Sequence, residues 1–265
     1  MTVIIFDLDD TLLIEEATAK SAMLETCVYA KQKYPIEPHH LLDTVRKTCR
    51  MFWHESPARD YCLQVGISSW EWLWSKFPGE SEELKKLREW SPKYQFNSWN
   101  QSLIQHGVED SKLANELMDL FHENRRKRHD LFSDAIPALN ELAKSYKLGL
   151  LTNGAPDIQH EKIKGAGIEH YFSSIVISGE VGVGKPNPLI FEIMLSNLKT
   201  KADDAIMIGN SLKSDIQPCK KLGIKSVWLN RERKENHSTI QPDIEVADLN
   251  TFINNFQQSN KLEFG

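Results

Sequence analysis

Short apolar runs that stop abruptly at small or polar residues set the tightest limit on how this chain can fold. Val3–Phe6 is the first, and others lie within Lys147–Asn153, Ser174–Ser178, Ala205–Asn210 and Lys225–Asn230. Runs of this length, apolar without alternation, suit strands covered on both faces. Between them, Ala135–Tyr146, Pro188–Leu198 and Lys213–Leu222 carry apolar residues at helical spacing. Strand alternating with amphipathic helix predicts an α/β fold built on a doubly wound parallel sheet, with Val3–Phe6 as one of its strands.

Residues 15–131 break that rhythm. They read as helices over Ala17–Lys33, His40–Phe52, Glu82–Glu89 and Ser111–Arg128, and six of the seven tryptophans fall between Trp53 and Trp99. A chain of 265 residues is near the upper size for one hydrophobic core. The expected division is therefore a sheet domain from 1–14 and 132–265, interrupted by a helical domain at 15–131. The tail beyond Asn250 turns polar after Phe256 and is expected to fray.

Lys and Arg number 32 against 37 Asp and Glu, a net charge of −5. Such a chain has no bulk attraction for nucleic acid or an anionic membrane, so a phosphate-bearing ligand has to be held by a local site. No run approaches membrane-spanning length, and Val3–Phe6 is too short for the apolar part of a signal peptide. Cys27, Cys49, Cys62 and Cys219 form no CxxC pair and no Cys/His cluster, which fits reduced thiols in a cytoplasmic protein. Oligomeric state is left open.

The chemistry concentrates where the apolar runs end. Asp7-Leu8-Asp9-Asp10-Thr11-Leu12 follows the first run directly. Open α/β sheets bind ligands beyond the carboxyl ends of their strands. In extended backbone, residues two apart face the same way, so Asp7 and Asp9 would face together. A surface turn is the plain alternative, but paired carboxylates suit metal binding or divided acid–base work better. Three further endings carry compatible groups. Thr152-Asn153-Gly154 offers a hydroxyl and backbone N–H groups, and Gly209-Asn210-Ser211 with Asp215 offers oxygen ligands. Lys185, within Gly184-Lys185-Pro186-Asn187, offers positive charge.

In the order and chemistry of these four segments the chain resembles the haloacid dehalogenase superfamily. That family's motifs are Asp-x-Asp-x-Thr, a Ser/Thr at a strand end, a Lys and an acidic pair. The likeness covers about 1–14 and 130–250, and the helical block resembles one of the family's inserted cap domains. The stretch from Leu150 to Glu169 is similar to the branch holding N-acylneuraminate-9-phosphate phosphatases, nucleotidase-like members and relatives assigned as phosphoserine phosphatases. The resemblance implies a Mg²⁺-dependent phosphatase. Asp7 would form an aspartyl-phosphate and Asp9 would act as acid then base. Thr152, Asn153 and Lys185 would bind phosphate, with Asp7, Asp9, Asn210 and Asp215 at the metal. It also implies a small phosphorylated metabolite as substrate, selected by the cap. Phosphoserine comes first, with a sugar phosphate or nucleoside monophosphate as alternatives. Asn210 stands where the family's phosphatases usually carry Asp, which implies weaker metal binding with more reliance on Asp215. A phosphomutase, or a catalytically silent sensor of a phosphometabolite, would keep the same motifs.

Other signals carry less. Gly179–Lys185 follows a P-loop pattern for seven positions, but Pro186 replaces the required hydroxyl residue and removes a backbone donor. Trp70, Trp72 and Trp74 suit helical core packing better than a substrate pocket. Arg125–Arg128 reads as a solvated helix face rather than an anion attractor. The nine histidines show no ligand spacing.

Overall fold

The computed structural model describes residues 2–263, with side chains described through Phe256. In chain order the elements are β1 (Val3–Phe6), α1 (Glu15–Lys33), α2 (Pro38–His54), α3 (Arg59–Val65), α4 (Ser69–Trp72), α5 (Glu82–Gln105), α6 (Ser111–Arg126) and α7 (Ala135–Leu142). These are followed by β2 (Lys147–Thr152), α8 (Pro156–Gly165), β3 (Phe172–Ile177), α9 (Ser178–Val181) and α10 (Pro188–Leu198). The chain closes with β4 (Ala205–Gly209), α11 (Gln217–Leu222), β5 (Lys225–Leu229), β6 (Ile244–Val246) and α12 (Leu249–Glu263).

Two compact units account for these elements. The first comprises Met1–Ile14, Asp130–Thr152 and Ala166–Gly265, and the second Glu15–His129 with Asn153–Gly165. The second unit thus takes in α8, a stretch that the sequence alone assigns to the sheet.

In the first unit six strands form one sheet in the order β3-β2-β1-β4-β5-β6, and every neighbouring pair runs parallel. This is the doubly wound α/β sheet expected from the apolar runs. Every residue of β1 and β4 is buried, as two-sided coverage requires. Val3, Ile5, Leu151, Val176 and Met207 pack with Ile190, Phe191 and Met194 of α10 in one apolar cluster. Asn187 starts α10 by accepting a bond from the Leu189 N–H, with Pro188 in the first turn. The chain moves from β1 through β2 to β3, then returns to the opposite flank of β1 for β4. That reversal puts the topological switch beside β1, where ligand crevices form in such sheets.

The sheet unit departs from the local sequence pattern at three points. Helix does not begin at Lys213: a π-helical turn spans Leu212–Ile216 and passes into α11. β6 was not anticipated, because three residues with one buried side chain give too little pattern. The chain from Leu249 to Glu263 forms α12, whose first part is anchored by buried Leu249, Phe252 and Ile253. Gly265, at the end of the expected tail, lies outside the described residues.

The second unit is helical, with a core drawn from α1, α2, α4, α5 and α6 that includes Met23, Leu41, Val45, Trp72, Tyr94, Trp99, Leu117 and Phe121. Ala155 and Ile158 belong to the same core, which is why the segment ahead of α8 joins this unit. α5 runs far past the expected stop at Glu89, straight through Pro92. A mid-helix proline normally breaks the ladder. Here Leu84, Leu87, Tyr94, Trp99 and Leu103 are buried along its length, and the Ser91 hydroxyl bonds back to the Leu87 carbonyl at 2.7 Å. Burial outweighs the lost hydrogen bond.

Trp72 and Trp74 are core residues, as their spacing suggests, and Trp72 stacks on Tyr94 at 4.8 Å between ring centroids. Arg125 departs from expectation. It is 1% exposed, pairs with Glu15, and lies over the Trp74 ring at 4.8 Å. Lys162, also buried, reaches the same Glu15 carboxylate at 3.2 Å. Burial alone would raise the Glu15 carboxyl, but the Lys162 and Arg125 charges outweigh it and hold it below the usual range.

Candidate active site

At the carboxyl end of β1 the chain leaves the sheet through a tight turn. The N–H groups of Thr11, Leu12 and Leu13 all donate to the Leu8 carbonyl, and Asp10 adopts φ 55°. Asp7, still buried, is held to β4 by its own N–H, which donates to the Ile208 carbonyl at 2.9 Å. Its two carboxylate oxygens are used separately. Thr11 Oγ1 donates to Oδ2 at 2.9 Å, and the Lys185 ammonium donates to Oδ1 at 2.6 Å.

Lys185 enters from the loop after α9 and makes a second bond, to Asp215 Oδ1, at 2.7 Å. Its side chain is 2% exposed and that of Asp215 is 1% exposed. Asp215 comes from the π-helical turn after β4, and the Ser211 N–H donates to its Oδ2 at 2.9 Å. Gly209 makes that placement sterically possible: a Cβ at 209 would lie 2.3 Å from Asp215 Oδ2. A short π segment at such a point is a common way of aiming a functional side chain.

The electrostatics follow from one cation between two anions. Burial disfavours a charged ammonium, yet Asp215 and Asp7 outweigh it and hold the Lys185 pKa above the ordinary lysine value. A single ammonium cannot neutralise both carboxylates. Burial, helped by the Asp215 charge, therefore lifts the Asp7 carboxyl above its usual value, against the opposing pull of Lys185.

Asp7, Lys185 and Asp215, distant in sequence, form one bonded cluster. Thr152 ends β2, the neighbour of β1, and is buried. Asn210 follows β4, and its main-chain carbonyl accepts the Trp228 indole N–H at 2.9 Å. Asp9 sits in the turn and bridges to Leu13. Asn153 continues directly from Thr152 but packs within the helical unit. A second bracing arrangement lies outside the four motif segments. Arg231, after β5, donates to the Thr11 carbonyl at 2.8 Å and forms a two-pronged pair with Asp134 at 2.9 and 3.0 Å. Asp134 in turn accepts the Leu249 N–H at 2.8 Å. This tie holds the turn behind Asp7. A lone arginine after an apolar run carries no sequence signal of it.

The donor set suits a hard cation. Asp7 and Asp215 supply carboxylate oxygens, the Asn210 amide and the Asp9 carbonyl are neutral oxygens, and the cluster has the surplus negative charge described above. Among the described residues no group of three or more His, Cys, Asp or Glu side chains is arranged to hold a metal. Hard oxygen donors of this kind suit Mg²⁺, which takes one or two carboxylates and keeps several waters. Among the thiols, Cys219 braces the cluster from behind, its Sγ–H donating to the Asp215 main-chain carbonyl at 2.9 Å. All four cysteines are buried and unpaired, and burial pushes Cys27 and Cys62 up to about 12 and Cys49 to about 11.

Comparison with known proteins identifies the family. The family model for haloacid dehalogenase-like hydrolases matches residues 1–223. A phosphoserine phosphatase of Thermus thermophilus is 32% identical over 252 residues, covering 94% of this chain and 96% of its own. The N-acylneuraminate-9-phosphatase of Rattus norvegicus is 30% identical over 232 residues, covering 86% and 82% respectively. Among solved structures, the HAD-hydrolase YfnB of Bacillus subtilis, bound to magnesium, has a TM-score of 0.63. It is 20% identical and covers 96% of this chain and 97% of its own, a likeness that speaks to the fold.

Proposed function

Because the chain belongs to the haloacid dehalogenase-like hydrolase family and is a phosphoric monoester hydrolase, we propose that it cleaves a small phosphorylated metabolite through an aspartyl-phosphate on Asp7. The observation that carries this reading is the buried Lys185 ammonium, 2.6 Å from Asp7 and 2.7 Å from Asp215, at the switch point of the sheet.

Thr11 and Lys185 hold the Asp7 carboxylate in one orientation, so little freedom is lost when it attacks. In the first step an Asp7 oxygen bonds to phosphorus while the bond from phosphorus to the ester oxygen breaks. Asp9 gives its proton to the departing alkoxide. In the second step Asp9 takes a proton from water, the water oxygen attacks phosphorus, and the bond to Asp7 breaks to release orthophosphate. One difficult displacement becomes two easier ones. The Thr152 hydroxyl, the Asn153 N–H and the Lys185 ammonium are the donors for the equatorial phosphoryl oxygens. Mg²⁺, held by Asp7, the Asp9 carbonyl, Asn210 and Asp215, would supply the Lewis acidity that offsets phosphoryl charge. Lys185 enters the reaction protonated, since Asp215 and Asp7 hold its pKa high.

Phosphoserine is the first substrate to test, in keeping with the Thermus thermophilus relative, ahead of sugar phosphates and nucleoside monophosphates. The experiment is a panel of phosphate esters with Mg²⁺, read by free orthophosphate. Stoichiometric orthophosphate from at least one ester, lost in Asp7→Asn and on removal of Mg²⁺, is the expected result. Turnover that survives Asp7→Asn overturns the covalent reading, and transfer of phosphate back to substrate makes the enzyme a mutase.

A further inference from the structure

The turn after β2 is gripped from one short segment of the helical unit. A Cβ on Gly66, which has φ 75°, would lie 2.8 Å from Asn153 Nδ2, so that backbone and the Asn153 side chain are in close contact. Glu71 Oε1 accepts the Ala155 N–H at 3.2 Å. Asp157 accepts both the Ser75 hydroxyl and the Lys76 N–H at 2.7 Å. Contacts from 66, 71 and 75–76 thus fall in order on 153, 155 and 157.

Glu71 is the centre of this clasp. Only 8% of it is exposed, and its two oxygens are spent on different partners. Oε2 accepts the Ser68 N–H at 2.8 Å, while the Ser68 hydroxyl accepts the Glu71 N–H at 3.2 Å, a reciprocal cap on α4. A four-residue helix gives little return for burying a carboxylate. The bond from Ala155 is the informative one, because it joins that cap to the turn after Thr152. Gly154, at φ 137°, lies against the same carboxylate: a Cβ there would come 2.3 Å from Glu71 Oε1. A side chain at 154 would therefore drive the two segments apart.

We propose that Glu71 is a positioning residue for phosphate recognition, holding the turn 153–157 in the arrangement that makes the Asn153 N–H a phosphate donor. The inference rests on the phosphate-binding role proposed above for Thr152 and Asn153. It predicts a signature that separates positioning of phosphate from recognition of the rest of the substrate. The phosphoryl group is common to every ester, so loss of Glu71 lowers kcat/KM by the same factor whatever the leaving group. It also weakens inhibition by orthophosphate.

The test compares wild type with Glu71→Ala, Glu71→Gln and Ser75→Ala. It measures kcat/KM on p-nitrophenyl phosphate, phosphoserine and a nucleoside monophosphate, the orthophosphate inhibition constant, and Tm. A hydrogen bond to a charged group corresponds to roughly 10- to 100-fold, so Glu71→Ala should lower kcat/KM by that factor on every ester turned over. Its inhibition constant should rise in parallel. Glu71→Gln, which retains an acceptor oxygen for Ala155, should recover much of the loss. Ser75→Ala, which loosens the same clasp farther along, should lose a few-fold. An unchanged inhibition constant in Glu71→Ala overturns the proposal even if Tm falls, since that is the mark of a structural role. If Glu71→Ala does not fold, unchanged constants in both Glu71→Gln and Ser75→Ala overturn it. Losses that differ tenfold between esters also overturn it. A wild-type protein that neither turns over an ester nor binds orthophosphate overturns the phosphatase reading and this one together. Wild-type turnover with unaffected variants overturns this one alone.

Discussion

Replacing Lys185 with Met keeps the length of the side chain and removes its charge, which isolates the electrostatics of the cluster. In the native protein one ammonium lies 2.6 Å from Asp7 and 2.7 Å from Asp215, with side-chain exposures of 2, 9 and 1% for Lys185, Asp7 and Asp215. The variant leaves two carboxylates facing each other in a buried space. Removing one partner of a buried pair costs about 3–5 kcal/mol, because the remaining charge keeps its desolvation penalty. At roughly 2–4 °C per kcal/mol for a domain of 150–250 residues, Tm should fall by roughly 6–20 °C at pH 7 in EDTA. The deficit has a pH signature. Without the ammonium, the Asp7 carboxyl rises further above its unfolded value of 3.8. A group raised in the folded state contributes stability that is present below its unfolded pKa and lost as pH rises through the folded one. The gap between variant and wild type should therefore narrow from pH 7 toward pH 4. Millimolar Mg²⁺ should also raise the variant's Tm more than the wild type's, because a divalent cation replaces the missing charge. Thermal unfolding followed by circular dichroism checks all three points. A Tm within about 2 °C of wild type at pH 7 in EDTA would refute the charge-locked cluster.

Gly209→Ala places a methyl 2.3 Å from Asp215 Oδ2. It should cost about 1–3 kcal/mol in urea unfolding and most of the activity, while a fully active variant would show that Asp215 can move freely. Asn210→Asp adds a negative charge among the proposed metal donors. It should lower the Mg²⁺ needed for half-maximal turnover by roughly tenfold, and an unchanged or higher requirement would remove Asn210 from the metal site. His122 and His129 are held below the usual histidine value, chiefly by burial. Stability they contribute is present above about pH 6.5 and lost as pH falls through their folded values, so urea midpoints should decline from pH 7 to pH 5. His122→Gln should flatten that decline, and an equally steep profile would exclude His122 as its source.

Much of the architecture is legible in local pattern. Strands buried on both faces leave short apolar runs, so β1, β2, β4 and β5 stand out in the sequence, as does α10 between its Asn187 cap and Leu198. The parallel, doubly wound class follows from their alternation with helices. Asp7, Lys185 and Asp215 can also be singled out from the ends of apolar runs, because strand ends are where such sheets expose chemistry. Tertiary structure decided what no local pattern contains. Pro92 lies inside α5 because burial on a helical core outweighs the missing hydrogen bond. Arg125, in a run that reads as solvated, is buried because Glu15 and Trp74 come from distant segments to meet it. The Asn153–Asp157 turn, continuous with β2 in the chain, belongs by packing to the helical unit through Gly66, Glu71 and Ser75. One physical reason covers these cases. Periodicity reports how a segment sits between solvent and core, whereas pairing across long stretches of chain depends on which surfaces meet, and that is settled only when the whole chain packs.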